Sequence, residues 1–330
     1  MANDYILEVK NLCQYFYSGK GKKKMVTKAV DDVSFSVRKA ETFGLVGESG
    51  CGKTTTGRAI IRLYDPTSGT VTFDGREISG KMTNDLRKFL TSNIAMIFQD
   101  PIESLNPRMT IEEIIGEGLK IRGITDEAEV RSQVNSMLEK VGLVQEHATR
   151  YPHEFSGGQR QRIGIARAII IKPRMVIADE PVSALDVSVQ AQVINLLNDL
   201  KEEMGLTIVF VAHNLSVVKY FSDRIGVMYY GKLVEVANGS DLYAHPLHPY
   251  TKALLSAIPE PNPLTERQRV RIEYVPSEWH KYPMGHNSLS VSVKSAGYEG
   301  EKPEMREIEP GHFIYCDSEE FAKYQQQVKE

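Results

Sequence analysis

A glycine-rich stretch between a predicted strand and a predicted helix constrains this chain more than any other feature. Gly47 to Thr54 read Gly-Glu-Ser-Gly-Cys-Gly-Lys-Thr and match the phosphate-binding loop pattern GxxxxGK[ST]. Apolar residues 42–46 predict a buried strand before it, and a helix is predicted from Lys53 to Leu63. Glycines let successive amides turn toward phosphate oxygens, and the helix points its positive end at the same anion. The predicted nucleotide contacts are Gly47, Glu48, Ser49, Gly50, Cys51, Gly52, Lys53, Thr54 and Thr55.

Three residues of this loop have distinct predicted roles. Lys53 reaches the β- and γ-phosphates of ATP, and the Thr54 hydroxyl ligates Mg²⁺. Cys51 is predicted to be a small side chain that fills space in the loop, with its backbone amide as the group that contacts phosphate. A redox-sensitive thiol is the alternative, because a helix N-terminus lowers a thiol pKa.

A second acidic feature follows further along the chain. The apolar residues 175–178 predict a buried strand that ends in Asp179 and Glu180. A buried carboxylate is costly without a partner, so we expect Asp179 to anchor Mg²⁺ directly or through water. Glu180, one residue on, is placed to polarise the attacking water.

The order of predicted elements indicates an α/β chain. Strands are predicted at 5–10, 33–37, 70–75 and 206–212, the third running into an Asp-Gly turn, and helices at 156–171 and 187–204. Buried strands that alternate with helices indicate a parallel sheet. The helical pattern between Gln99 and Ser156, including 109–145, predicts an inserted helical subdomain at about 100–168. Prolines cluster after about residue 240 and periodicity fades, which predicts a separate extension over 241–330.

Composition excludes several classes of protein. The net charge of −3 comes from charges of mixed sign, so a nucleic-acid partner is not expected. The basic stretch at 20–24 is expected to be a solvated loop, with contact to anionic lipid as the alternative. No apolar run is long enough to span a bilayer, and the first residues lack a signal-peptide pattern. Three widely spaced cysteines offer no disulfide framework and no metal pair.

The stretch from Ser156 to Arg160, Ser-Gly-Gly-Gln-Arg, resembles the signature motif of the ABC ATPases. Ser156 has the character of an N-cap, and two glycines expose backbone amides at the start of a helix. The chain already has one phosphate loop, so a second anion-binding helix start makes sense if it serves another subunit. The resemblance implies a head-to-tail dimer that encloses two ATP molecules, with partner contacts from Ser156, Gly157, Gly158 and Gln159.

Other motifs of this family occur in the expected order over residues 5 to about 240. Phe16 resembles the aromatic that stacks on adenine, with Tyr15 and Tyr17 as rivals. Gln99 resembles the glutamine that senses Mg²⁺ and water, and His213 resembles the switch histidine of the γ-phosphate. The loop that crosses the dimer interface is matched by Ser183, Ala184, Leu185 and Asp186. The resemblance implies a RecA-like P-loop NTPase core with an antiparallel β subdomain, over residues 1–240.

Finer motifs resemble the oligopeptide and dipeptide importers of this family. They are Phe98-Gln99-Asp100-Pro101, Ser104-Leu105-Asn106-Pro107, His248-Pro249-Tyr250-Thr251, Ile258-Pro259-Glu260-Pro261, Met305-Arg306-Glu307-Ile308 and Pro310-Gly311-His312-Phe313. Many relatives carry several cysteines in the extension, spaced for an iron–sulfur cluster. This chain has only Cys316 there, so no cluster is predicted.

The resemblance also implies partners and a location. We expect a second, related ATPase subunit in a heterodimer, two transmembrane permease subunits and an extracellular or periplasmic peptide-binding protein. The expected location is the cytoplasmic face of the cell membrane, as a peripheral protein.

Three alternative functions remain compatible with the sequence. The first is an importer of dipeptides, nickel or glutathione, since substrate never touches an ATPase subunit. The second is a soluble ABC ATPase that acts on nucleic acid or the ribosome. The chain has no room for long coiled coils between Lys53 and Asp179, and it has one phosphate loop rather than two. The third is a regulatory nucleotide-binding protein, which the intact Glu180 and His213 disfavour.

Overall fold

The computed structural model describes residues 4–19, 25–258, 270–274, 290–292, 301 and 303–328. The basic stretch at 20–24 and the prolines at 259 and 261 lie outside this part of the chain. Within the part described, no helix combines the length and the apolar character needed to cross a membrane. The chain divides into two compact units, the first made of Met1–Val37, Thr42–Gly80 and Ala212–Glu330, the second of Arg38–Glu41 and Lys81–Val211.

The strands, in chain order, are β1 (Tyr5–Ser18), β2 (Met25–Arg38), β3 (Thr42–Val46), β4 (Ser68–Phe73), β5 (Arg76–Glu77), β6 (Ile94–Ile97), β7 (Met175–Asp179), β8 (Thr207–Ala212), β9 (Arg224–Tyr229), β10 (Lys232–Asn238), β11 (Ser290–Ser292), β12 (Glu304–Glu309) and β13 (His312–Cys316). The α-helices are α1 (Lys53–Ile60), α2 (Asn84–Asn93), α3 (Pro101–Ser104), α4 (Ile111–Ile121), α5 (Glu127–Lys140), α6 (Gly157–Ile169), α7 (Val187–Met204), α8 (Leu215–Phe221), α9 (Gly239–Ala244), α10 (Pro249–Ser256) and α11 (Ser318–Gln327).

One sheet of the first unit has the strand order β11-β2-β1-β4-β5. Antiparallel pairing joins β1 to β4, β2 to β11 and β4 to β5. The β4–β5 hairpin turns at Asp74 and Gly75, both with positive φ, as the Asp-Gly pair predicts. The expected antiparallel β subdomain is therefore confirmed.

The other strands of the first unit have the order β12-β13-β10-β9-β3. β3 runs parallel to β9, and all five residues of β3 are buried, as the continuous apolar run predicts. The phosphate-loop sequence begins at the carboxyl end of β3 and continues into α1. That helix ends at Ile60 rather than at the predicted Leu63. Arg62 takes a left-handed conformation and the Leu63 N–H turns back to the Arg58 carbonyl, which ends the helix.

The second unit contains a parallel sheet and a group of helices. Strands β8, β7 and β6 are neighbours in that order, with Asp179 paired to Val211 and Ile97 paired to Ala178. The predicted parallel sheet is thus confirmed. Helices α3 to α6 follow β6 as predicted, but the pattern over 109–145 forms two helices because Gly123, at φ 91°, ends the first.

The C-terminal part is more regular than the sequence predicted. β12 and β13 pair with each other, and β13 pairs with β10. Leu247, Ile314 and Cys316 form a buried cluster, against which partly buried residues of β12 and α11 pack. Burial raises the pKa of the Cys316 thiol to about 12, so this cysteine has the environment of a core residue. The boundary near residue 240 stays a prediction.

Candidate nucleotide-binding site

The phosphate loop is held tightly by the first unit. A Cβ at Gly47, where φ is 149°, would lie 2.2 Å from the Met228 carbonyl oxygen. A Cβ at Gly52, where φ is 107°, would lie 2.1 Å from the Ala29 carbonyl oxygen. These positions accept only glycine, because neither backbone oxygen can move aside cheaply. The loop therefore packs closely against both β9 and β2.

Lys53 is folded into the loop that it follows. Its side chain is 4% exposed, and its ammonium donates to the carbonyl oxygens of Gly47 and Glu48, both at 2.9 Å. The ammonium is a strong hydrogen-bond donor for anionic oxygens, and it lies at the start of α1. The Lys53 ammonium and the glycine-rich backbone are therefore in direct contact, as the phosphate-loop pattern predicts.

The N-terminus of α1 favours an anion. Gly52 is the N-cap and supplies no side-chain cap, and the first turn, Lys-Thr-Thr-Thr, carries no carboxylate. Exposed helix amides and the helix dipole are therefore available to phosphate oxygens. Thr54 and Thr55 are half-buried here, and Ser49 and Gly50 are exposed.

Cys51 has a structural environment within this loop. It is buried, its N–H donates to the Glu48 carbonyl, and its own carbonyl accepts from the Gly231 N–H at 2.8 Å. Burial raises the pKa of its thiol, which keeps the sulfur protonated and poorly reactive. These contacts favour the filler role over the redox role.

The three candidate adenine-stacking aromatics have different environments. The Tyr15 hydroxyl donates to the Asp31 carboxylate, which also accepts from Lys232 at 3.0 Å. Phe16 is 40% exposed and makes an edge contact with Tyr64, with ring centroids 5.4 Å apart. The Tyr15 hydroxyl is part of an ionic network with Asp31, whereas Phe16 and Tyr17 are both exposed. The geometry therefore disfavours Tyr15 and leaves Phe16 and Tyr17 as candidates.

The acidic pair lies in the second unit, at the end of β7. Asp179 is buried, and Glu180 is half-buried with φ 45°, a conformation that costs free energy for a bulky residue. The Gln99 amide donates to the Glu180 carboxylate at 3.3 Å. The structure therefore brings together Gln99, predicted to sense Mg²⁺ and water, and Glu180, predicted to polarise the attacking water.

The signature motif begins α6 as predicted. The Ser156 hydroxyl accepts from the Gln159 N–H at 3.4 Å, and the Gln159 side chain accepts from the Ser156 N–H at 3.0 Å, which forms a capping box. Ser156 and Gly157 are exposed. A Cβ at Gly158 would lie 2.5 Å from Val189 Cγ1, so this glycine allows α7 to approach closely.

The predicted interface loop lies beside these elements in the second unit. Ser183 donates through both its N–H and its hydroxyl to the Glu180 carbonyl, at 3.2 and 3.1 Å. A Cβ at Gly157 would be 3.7 Å from Leu185. Ala184 and Asp186 are exposed, and Asp186 is the N-cap of α7. The loop thus connects the acidic pair to the signature helix start.

His213 follows β8 and belongs to the first unit, where it is exposed.

The sequence missed one contact to the phosphate loop altogether. The Glu48 N–H donates to the Tyr250 hydroxyl at 3.1 Å, across 202 residues of chain. The motif around Tyr250 indicates only a family resemblance, and no local signal in the sequence connects it with the loop.

The residues predicted to hold Mg²⁺ carry oxygen donors of a kind that suits this ion. Thr54, Gln99 and Asp179 offer hydroxyl, amide and carboxylate oxygens, which are the ligands that Mg²⁺ prefers. The absence of an iron–sulfur cluster stays a prediction from the cysteine count.

Comparison with known proteins assigns the chain to a family. Residues 30–183 match the ABC transporter family, and residues 234–285 match the oligopeptide/dipeptide transporter C-terminal region. The oligopeptide transport ATP-binding protein OppF of Bacillus subtilis is 54% identical over 97% of this chain and 98% of its own length. The dipeptide transport ATP-binding protein DppF of Lactococcus lactis is 50% identical over 97% of this chain and 96% of its own length.

Solved structures agree with the predicted fold. A dimeric structure of the ATP-binding cassette MJ0796, in a post-hydrolysis state with ADP and Pi, is similar with a TM-score of 0.64 and 29% identity. The similarity extends over 70% of this chain and 98% of the MJ0796 chain. The cbiO1 protein of Clostridium perfringens is similar with a TM-score of 0.65 and 26% identity, over 74% of this chain and 92% of its own. The chain therefore belongs to the ABC transporter ATP-binding family, as an ATPase whose cassette is followed by the oligopeptide/dipeptide transporter C-terminal region.

Proposed function

We propose that this chain is an ATP-hydrolysing subunit of an ABC importer and powers the uptake of oligopeptides. The observation that carries the proposal is the 54% identity to an oligopeptide transport ATP-binding protein over 97% of the chain. That similarity includes the C-terminal region as well as the cassette.

The first unit binds the nucleotide in this proposal. Lys53 exchanges its two loop carbonyls for β- and γ-phosphate oxygens, while the amides from Gly47 to Thr55 surround the phosphates. Thr54, Gln99 and Asp179 would hold Mg²⁺, which supplies charge neutralisation for the phosphates. Phe16 stacks on adenine, for which its exposed ring is suited.

Glu180 orients the attacking water in this mechanism. Its contact with Gln99 holds the carboxylate in one direction, and its strained backbone conformation is typical of residues whose placement serves a reaction. His213 contacts the γ-phosphate through its exposed imidazole. These roles follow the matched family motifs.

The signature helix start serves the ATP of a second subunit. Its capping box leaves the exposed Ser156 and Gly157 at the helix N-terminus, where amides and dipole favour an anion. Closure of two subunits, with Ser183 to Asp186 at the interface, would enclose two ATP molecules. The matched motifs favour a related but different ATPase subunit as the partner.

The remaining partners are two permease subunits and an extracellular or periplasmic peptide-binding protein. We place the permease contact near residues 99–107, where Ile102 is 62% exposed on the short helix α3. This arrangement puts the chain on the cytoplasmic face of the membrane. Hydrolysis reopens the dimer and resets the permease.

Dipeptide import is the second candidate, because a dipeptide transport ATP-binding protein is 50% identical over 97% of the chain. An uptake assay in cells that lack this chain, complemented with the wild-type or variant protein, distinguishes oligopeptide import from dipeptide import. We expect wild-type protein to restore uptake of a labelled oligopeptide, and Glu180→Gln, which keeps size and shape, to fail while still accumulating an ATP-bound dimer. Restoration of dipeptide uptake alone would select the second candidate. Full restoration by Glu180→Gln would remove the catalytic role of Glu180.

A further inference from the structure

The peptide bond between Gly47 and Glu48 is held at both of its polar ends. Its carbonyl oxygen accepts from the Lys53 ammonium at 2.9 Å, and its N–H donates to the Tyr250 hydroxyl at 3.1 Å. A trans peptide is planar and directs these two groups in opposite directions. Rotation of this peptide would therefore break both contacts, one of which belongs to the loop lysine.

Tyr250 is itself fixed by a buried network at the start of α10. The His248 imidazole caps this helix by accepting from the Tyr250 N–H at 3.1 Å. The amides of Leu247 and His248 donate to the Glu235 carboxylate of β10 at 2.8 and 3.1 Å. Glu235 is fully buried and also contacts His312 Nε2 at 2.7 Å. The phenol therefore has a rigid base that joins α10, β10 and β13.

The ring of Tyr250 is confined as well. It is 2% exposed, and its centroid lies 4.4 Å from that of Tyr229 and 5.5 Å from that of Tyr274. Tyr229 ends β9, immediately before the turn whose Gly231 N–H donates to the Cys51 carbonyl. The phosphate loop is thus held near its start by Tyr250 and near its end by the β9–β10 turn.

We propose that Tyr250 is a positioning residue for nucleotide binding, whose hydroxyl fixes the Gly47–Glu48 peptide and so sets the affinity of the chain for ATP and ADP. This inference rests on the proposed nucleotide binding at the loop. The residue lies in the stretch 234–285 that matches the C-terminal region of peptide transporters. That region therefore contributes to the nucleotide site in addition to the cassette motifs.

The physical basis is preorganisation. Without the hydroxyl, the Glu48 amide loses its acceptor, and the free loop samples orientations that nucleotide binding must then select against. The loss of affinity is limited by the net contribution of one hydrogen bond, which corresponds to roughly two- to tenfold in Kd.

The test compares Tyr250→Phe with Tyr243→Phe in the full chain. Both substitutions keep the ring and remove a hydroxyl, and the Tyr243 hydroxyl donates to the Leu215 carbonyl in the same unit. Binding of MgADP is measured by calorimetry, with melting temperatures recorded for all three proteins. We expect the Kd of Tyr250→Phe to rise by roughly two- to tenfold, and that of Tyr243→Phe to stay within about twofold.

A second readout separates positioning from general stability. In ATPase assays of the assembled complex, KM for ATP should rise by a larger factor than kcat falls for Tyr250→Phe. The inference is overturned if Tyr250→Phe binds MgADP as wild type does, or if both variants lose affinity equally. Failure of the wild-type chain to bind MgADP would instead overturn the proposed function and this inference together.

Discussion

Burial of His248 predicts a measurable dependence of stability on pH. The buried environment lowers the pKa of this histidine from 6.5 to about 4, because desolvation disfavours the imidazolium. Glu235 opposes this shift and Lys252 adds to it. The neutral ring is also the form that accepts the Tyr250 N–H and caps α10. Folding therefore selects the neutral histidine.

The sign and size of the effect follow from proton linkage. Above the unfolded pKa both states hold a neutral ring, so there is no pH dependence. As pH falls below 6.5 the unfolded chain takes up a proton that the folded chain rejects, so stability is lost until pH reaches the folded value. The loss is about 2 kcal/mol at about pH 5 and approaches about 3 kcal/mol below the folded pKa.

His248→Asn isolates this contribution, since asparagine is also a good N-cap but does not titrate. Urea unfolding followed by circular dichroism at about pH 7.5 and about pH 5 gives the free energy of unfolding of both proteins. We expect the wild type to lose about 2 kcal/mol more than the variant between these conditions. His153→Asn, which removes an exposed histidine, should match the wild type. Equal losses in wild type and His248→Asn would refute the argument from burial.

Three further substitutions test the nucleotide site. Lys53→Ala should weaken ATP binding by roughly ten- to hundredfold in calorimetry, because a buried charge-assisted contact is lost, and nanomolar binding would contradict the role of this lysine. Gly158→Ala should lower hydrolysis by about tenfold through crowding against α7. Its control Gly164→Ala, with open space around the added methyl group, should retain wild-type hydrolysis; equal losses in the two variants would argue against close packing at the signature helix. Phe16→Ala should weaken ATP binding by roughly five- to hundredfold and Tyr17→Ala by much less, with the reverse order excluding Phe16 as the stacking residue.

The sequence predicted those parts of the site that are local. A phosphate loop, a strand ending in two carboxylates and a capped helix start each occupy one short stretch, so a pattern contains everything needed to recognise them. The hydroxyl of Tyr250 meets the loop from 202 residues away, and Lys232 meets Asp31 from 201 residues away. Such contacts depend on how strands pair, which no local pattern specifies.

The fold was likewise predictable only where a short stretch of sequence carries a strong local signal. Continuous apolar runs identified the buried parallel strands β3, β7 and β8, because burial on both faces leaves a strong signal. The parallel strands β6 and β9 were not predicted. β12 and β13 were missed because β12 has no fully buried residue and β13 begins with a buried polar one, His312. The end of α1 was misplaced by three residues, since an arginine in the left-handed region carries no sequence signature.

The left-handed conformation of Glu180 has a consequence for protein engineering. Glycine or asparagine would adopt this backbone with less strain, by about 1 kcal/mol, so a redesign that optimised thermal stability alone would choose one of them. The same substitution would remove the carboxylate that Gln99 contacts. Heat-tolerant variants of this chain should therefore be sought at other positions, with residue 180 kept as glutamate.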